Sequence, residues 1–135
     1  MNVDVPTGSN ASIEGDGAPV LLIHGMGLNR HMWAWQLPPL AARFQTIRYD
    51  LLGHGESAIR PGVCSLTDFA DQAIRLLDHL KLDQCALVGF SLGGMIGRAI
   101  AIAHPDRVSA LAILNSPHDR TQDQRAAMLG RLDQA

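Results

Sequence analysis

Gly89-Phe90-Ser91-Leu92-Gly93 follows the apolar run Cys85-Ala86-Leu87-Val88 and opens the helix-patterned run Leu92 to Ala103. One serine therefore stands on the turn between a strand and a helix, where a side chain is pushed out of the sheet and can act as a nucleophile. The flanking glycines fit that reading, because a Cβ at Gly89 or Gly93 would collide with the neighbouring strand or helix. The backbone N–H of Leu92, at the helix start, then points toward any oxyanion formed on a carbonyl that Ser91 attacks.

Working outward, Ala18-Pro19-Val20-Leu21-Leu22-Ile23 is continuous in apolar residues, as a strand buried on both faces should be, and runs into His24-Gly25-Met26-Gly27. That loop can bring the Met26 N–H beside that of Leu92, making a two-donor oxyanion hole. A third strand, Thr46-Ile47-Arg48-Tyr49, ends in Asp50-Leu51-Leu52-Gly53-His54-Gly55-Glu56-Ser57, whose glycines describe a sharp loop at the same end of the sheet.

With these three motifs in this order and with these gaps, the chain resembles the α/β-hydrolase family from about Ile13 to Asn115. Within that family the pattern is most similar to small esterases, enol-lactonases and carbon–carbon bond hydrolases. Relatives with an aspartate nucleophile, the haloalkane dehalogenases and epoxide hydrolases, are disfavoured because position 91 is serine. The resemblance implies a triad acid and histidine that follow the serine in chain order, a lid, and no cofactor.

Strands expected at Val20 to Ile23, Thr46 to Asp50, Gln84 to Gly89 and Val108 to Leu114 alternate with helical patterns. The fold class is therefore α/β, a three-layer parallel-sheet α/β-hydrolase core truncated after about the sixth strand. Ser65 is the expected N-cap of a crossover helix. Its apolar positions Leu66, Phe69, Ala70, Ala73, Ile74, Leu77 and Leu80 recur at three- and four-residue spacing. The helix after Ser91 should end at His104-Pro105, with Gly93, Gly94 and Gly97 allowing close approach to the sheet. The region around Trp33, Trp35 and Leu40 is expected to form the first helix, with Pro38 and Pro39 at its start or breaking it. Asn10 to Gly17 reads as a short edge strand and turn, and Thr121 to Gln134 as a helix.

Only Asn115 to Asp119 and that last helix-like stretch follow the strand at Ala110 to Leu114. Residues 1–135 are accordingly expected to be the N-terminal portion of a catalytic domain, with lid and C-terminal strands absent and little turnover of their own. The open edge at Ala110 to Leu114 should drive dimerisation or aggregation. The composition is that of an ordinary globular chain, with 47% apolar and 18% charged residues in 135. A net charge of −2 without a basic run argues against nucleic acid and membrane surfaces and for a small-molecule partner, which the resemblance implies is an ester or lactone. The N-terminus lacks a signal-peptide pattern and no stretch reaches the roughly 18 apolar residues of a membrane span, so a cytoplasmic location is expected. Cys64 and Cys85 are expected to be reduced thiols, and no metal-ligand spacing is present.

The site expected from these readings is Ser91 as nucleophile with the Met26 and Leu92 amides as oxyanion donors. His24, at a strand end before a glycine turn, is read as bracing a loop rather than as a base; His54 and His118 are more exposed alternatives. Asp50 is read as anchoring the glycine loop rather than orienting a histidine. Trp33, Trp35 and Met95 are candidate pocket residues, with core packing the preferred reading. Arg120 and Arg125 are candidate carboxylate binders, with a solvated helix face preferred. The same serine machinery serves carbon–carbon bond hydrolysis and cofactor-free perhydrolysis. A non-catalytic module whose open sheet edge pairs with a partner is the alternative from another class.

Overall fold

The computed structural model describes residues 1–5, 9–59, 61–62 and 65–132. Cys64 lies outside these residues; Cys85 is a buried free thiol whose pKa burial pushes up to about 11. Six strands, β1 (Asn2–Val5), β2 (Ser9–Glu14), β3 (Ala18–Ile23), β4 (Phe44–Tyr49), β5 (Cys85–Phe90) and β6 (Val108–Leu114), form one sheet in the order β1-β2-β4-β3-β5-β6.

The four strands from β4 to β6 are parallel, as the alternation with helices requires, whereas β1 and β2 pair antiparallel. The parallel core is the one expected, and β1 and β2 add an antiparallel edge to it for a geometric reason. Only Gly15, Asp16 and Gly17 join β2 to β3; three residues can turn a chain back but cannot return it to the end from which a parallel strand must start. The strand β1, which pairs with β2 at the sheet edge, was not among those expected.

β3 lies at the centre, with Leu21 opposite both Ile47 and Leu87. Alternation along it splits the core in two. Leu21 and Ile23 pack with Ile47, Tyr49 and Leu87 under helices α2 (Leu66–His79) and α3 (Leu92–Ala103). Val20 and Leu22 face the other way, onto Trp33, Phe44 and Val88. A 3₁₀ turn, Arg30–Trp33, and the short helix α1 (Leu37–Ala41) cover that second face. The expected first helix is thus two pieces, and Pro38 and Pro39 stand in the opening turn of the second. This is the three-layer architecture read from the sequence.

Ser65 caps α2 and α3 ends at His104 before Pro105, both as anticipated, and Asp68 completes a capping box with Ser65. A fourth helix, α4, spans Gln122–Leu132. No helix of the described residues is long and apolar enough to cross a membrane.

Candidate active site

The parallel strands β3, β4 and β5 end side by side, and their next residues are His24, Asp50 and Ser91. In open α/β sheets, ligands bind outside these carboxyl ends. The tight packing of the serine turn follows from its glycines. A Cβ on Gly89 would fall on the carbonyl of Gly93, and one on Gly93 would fall on the carbonyl oxygen of Ile23 in β3. In both cases the Cβ would meet backbone, so no flexible side chain could move aside.

Ser91 itself has φ +53° and ψ −113°, a region that non-glycine residues enter only at a cost of about 1–3 kcal/mol. Its N–H donates to Leu114 O at 2.9 Å, and its carbonyl accepts from Gly94 N–H at 3.0 Å and Met95 N–H at 3.3 Å. Serine at a helix N-cap ordinarily turns its hydroxyl onto the second or third helical N–H. Here the hydroxyl makes no such bond, although Ser91 occupies the N-cap position of α3. The side chain borders instead a cleft of 390 Å³ together with Met26, Leu66, Phe69, Leu92, Met95, Pro117 and Arg120. Ser91, Met26 and Leu92, the three expected site residues, therefore meet at one cavity. Leu92 opens α3, and first-turn amides have no intrahelical acceptor. Met26 is the first central residue of a turn closed by Leu28 N–H on Gly25 O at 3.2 Å, with Gly27 at φ +73° supplying the positive φ that a type II turn needs next. The turn's own hydrogen bond thus uses the Leu28 amide and not that of Met26.

The histidines and Asp50 hold the loops. His24 is fully buried; its Nε2 accepts from Leu51 N–H at 3.0 Å, which leaves the ring proton on Nδ1 to donate to Gly25 O at 2.8 Å. Burial lowers its pKa, with the nearby His54 acting in the same direction and the Gly25 hydrogen bond opposing. Both nitrogens are thus committed to joining the β3 and β4 loops, the bracing role expected. His54 packs edge-on against His24 and Phe69, with its Nδ1 3.0 Å from Leu52 O.

Asp50 accepts from the Glu56 N–H at 3.0 Å across the glycine loop, and from the N–H of Arg30 at 2.7 Å. The Arg30 guanidinium, 4% exposed, also pairs with Asp50 and reaches Glu56 at 2.6 Å. Anchoring is therefore the role of Asp50. Arg30 was missed, because nothing local marks a buried arginine. Buried Gln72 was missed too; it donates to Asp50 O and accepts from Leu52 N–H, each at 3.0 Å, from the middle of an otherwise apolar helix face. A polar residue at that register was the available signal.

Of the candidate pocket residues, only Met95 lines the cleft. Trp33 is buried in the core and Trp35 is 90% exposed. Leu66 and Phe69, expected only to pack, form its α2 wall. Arg120 borders the cleft, whereas Arg125 and His118 border a neighbouring cavity. No histidine is among the described residues that line the Ser91 cleft.

A family model described as the alpha/beta hydrolase fold matches residues 18–134. The chain is 33% identical over 120 residues to (E)-2-((N-methylformamido)methylene)succinate hydrolase of Acinetobacter baylyi, covering 89% of this chain and 46% of that protein. It is 40% identical over 113 residues to 2-hydroxymuconate semialdehyde hydrolase of a Pseudomonas species, covering 80% and 40%. The crystal structure of the enol-lactonase from Burkholderia xenovorans superposes with a TM-score of 0.79 at 30% identity, covering 86% of this chain and 46% of that one. The chain spans less than half the length of each of these proteins. With the order of its strands, the glycine-packed serine turn and these matches in agreement, the chain belongs to the α/β-hydrolase family.

Proposed function

We propose that this chain carries the nucleophile and oxyanion hole of a serine hydrolase that cleaves a carboxylic ester or lactone through an acyl-enzyme. The observation that supports it most is the Ser91 backbone at φ +53°, with an uncapped hydroxyl at the cleft. Strain of this kind persists only where the surroundings enforce it, and it clusters at active sites. In this reading Ser91 Oγ attacks the carbonyl carbon while a histidine takes the hydroxyl proton. The Met26 and Leu92 amides hold the oxyanion, and the histidine returns the proton to the departing alkoxide. Water then enters by the reverse route and releases the acid. The histidine is assigned to sequence outside residues 1–135, since none lines the cleft among the described residues and the relatives are more than twice as long as the matched stretch.

The 40% identity to a semialdehyde hydrolase supports one second reading, carbon–carbon bond hydrolysis by the same serine. A fluorophosphonate probe applied to the full-length protein tests what both share. It should label Ser91, and Ser91→Ala should abolish labelling and lower kcat by about four to six orders of magnitude. Labelling that survives the substitution would remove Ser91 from the mechanism and point to another nucleophile, whereas a wild-type protein that takes up no probe would favour a non-catalytic module. Assaying an ester beside a vinylogous 1,5-diketone separates the two chemistries.

A further inference from the structure

We propose that Phe90 is a positioning residue for the oxyanion hole, its ring the stop against which the Gly25–Met26 peptide unit is set, an inference that rests on Ser91 being the nucleophile and the Met26 amide a donor. Side chains alternate along β5, so Cys85 and Leu87 face α2 and α3 while Ala86, Val88 and Phe90 face Leu22 and Trp33. Phe90 is half-buried there, and it is not among the described residues that line the Ser91 cleft. A methyl group on Gly25 would fall 3.0 Å from Cδ1 and 3.3 Å from Cε1 of Phe90, and 3.4 Å from Ser91 Cβ. The backbone of Gly25 therefore lies against this ring, immediately beside the nucleophile.

The contact reaches Met26 through one peptide bond. The Gly25 carbonyl and the Met26 N–H belong to a single planar trans unit and point in opposite directions, so whatever fixes the carbonyl also aims the amide. That carbonyl accepts from His24 Nδ1–H at 2.8 Å and from Leu28 N–H at 3.2 Å. These bonds set the direction of the unit; the Phe90 ring sets how far it can settle toward the sheet. An oxyanion donor acts over a narrow range, about 2.7–3.1 Å from the oxygen. A small displacement of Gly25 therefore weakens the Met26 donor, while Leu92, held in the first turn of α3, keeps its place.

The test labels the full-length protein with a fluorophosphonate and with its thio analogue, in which sulfur replaces the phosphoryl oxygen. In both reactions the bond from Ser91 Oγ to phosphorus forms, fluoride departs and the serine proton passes to the base. Sulfur accepts hydrogen bonds more weakly than oxygen, so the ratio of the two rate constants reads the oxyanion hole, whereas a loss of folded protein lowers both rates alike. Phe90→Ala should lower the ratio about tenfold, and Gly25→Ala, whose methyl must displace the ring or the turn, by a smaller factor. Combining the two puts the methyl where the ring was and should recover most of the ratio. Val88→Ala, which opens the same core two positions earlier, should leave it at the wild-type value. Should Phe90→Ala fail to fold, Phe90→Leu carries the same comparison. Ser91 labelling with a ratio indifferent to Phe90, lowered as much by Val88→Ala, or no better in the double variant than in Phe90→Ala, overturns the proposal alone. A wild-type protein that takes up neither probe at Ser91 sinks the nucleophile reading and the proposal with it.

Discussion

On one side of the Ser91 cleft, residues 24–30 and 50–57 bury polar and charged side chains against one another, although Met26 stays exposed and Arg30 Nε finds no acceptor; on the other, residues 108–120 leave the apolar residues of a strand in the open. Arg30, Asp50 and His24 are at most 4% exposed, and every loop amide they meet is a hydrogen-bond partner. Ile113 and Leu114, at the end of β6, are 39% and 44% exposed, and among the described residues β5 is the one strand that pairs with β6. The difference teaches where this chain supplies its own support. The loop that carries Met26 is cross-tied to the loop after β4 through His24, Arg30 and Asp50. The β6 side carries Pro117 and Arg120 into the cleft on a strand that has a neighbour on one edge alone.

The largest expected effect is on the polar side. Asp50→Ala would leave the buried Arg30 guanidinium without its main partner and strip the acceptors from the Arg30 and Glu56 amides. Breaking a buried pair in this way costs about 3–5 kcal/mol. Asp78→Ala is the control, since it removes the pair between Arg107 and Asp78, the latter 58% exposed, and should cost at most about 1 kcal/mol. Urea unfolding measures both; equal losses would break the contrast between a buried brace and an ordinary surface pair.

The brace should also titrate. Burial first, and the charge of His54 next, lower the pKa of His24 in the folded state, while its unfolded value stays near 6.5. As pH falls through that value, the unfolded chain takes up a proton that the folded chain resists. The contribution of His24 is therefore fully present above pH 6.5 and is lost as pH drops toward the folded pKa. A protonated Nε2 would also face the Leu51 N–H as a second donor. Stability by urea titration should fall from about pH 7 to about pH 5.5 more steeply in wild type than in His24→Gln, the slope counting one proton per molecule. Matching slopes would mean that His24 is protonated alike in both states.

What could be read from the sequence and what could not divide along the same physical line. The strands β3 and β5, the serine turn and α2 were legible because each is written in local period: Val20 to Ile23 is apolar at every position, and Ser65 and Asp68 sit at capping-box spacing. Ser91, Met26 and Leu92 could be brought to one place because the motifs that carry them end adjacent strands. The antiparallel start of the sheet, the split first helix and the Arg30–Asp50–Glu56 cluster were not legible. The cluster and Gln72 depend on partners twenty or more residues apart, and neither periodicity nor propensity specifies which distant residue a buried arginine or Gln72 will meet. Likewise Leu66 and Phe69 look like core positions of an amphipathic helix. Their place at the cleft follows from α2 starting beside the serine turn, a tertiary fact.

The smallest effect on stability, and the sharpest probe of the other wall, belongs to the β6 edge. Leu111 and Ile113 turn toward Gly97 and Gly94 of α3, so Ala110, Ala112 and Leu114, which alternate with them, project from the opposite face. All three are exposed. A parallel strand with apolar residues on both faces and one unpaired edge offers backbone donors and acceptors that another strand can take up. Residues 1–135 on their own should therefore associate through β6 in a concentration-dependent way. Ala112→Lys places a charge on the uncovered face, where surface substitution shifts stability by only about 0.5 kcal/mol, yet it should convert the associated species to monomer, as lysines on natural edge strands do. Multi-angle light scattering across a concentration series reads the outcome. A wild-type chain that stays monomeric at high concentration would show that the exposed β6 edge is as self-sufficient as the buried brace, and the contrast between the two walls would fail on this side.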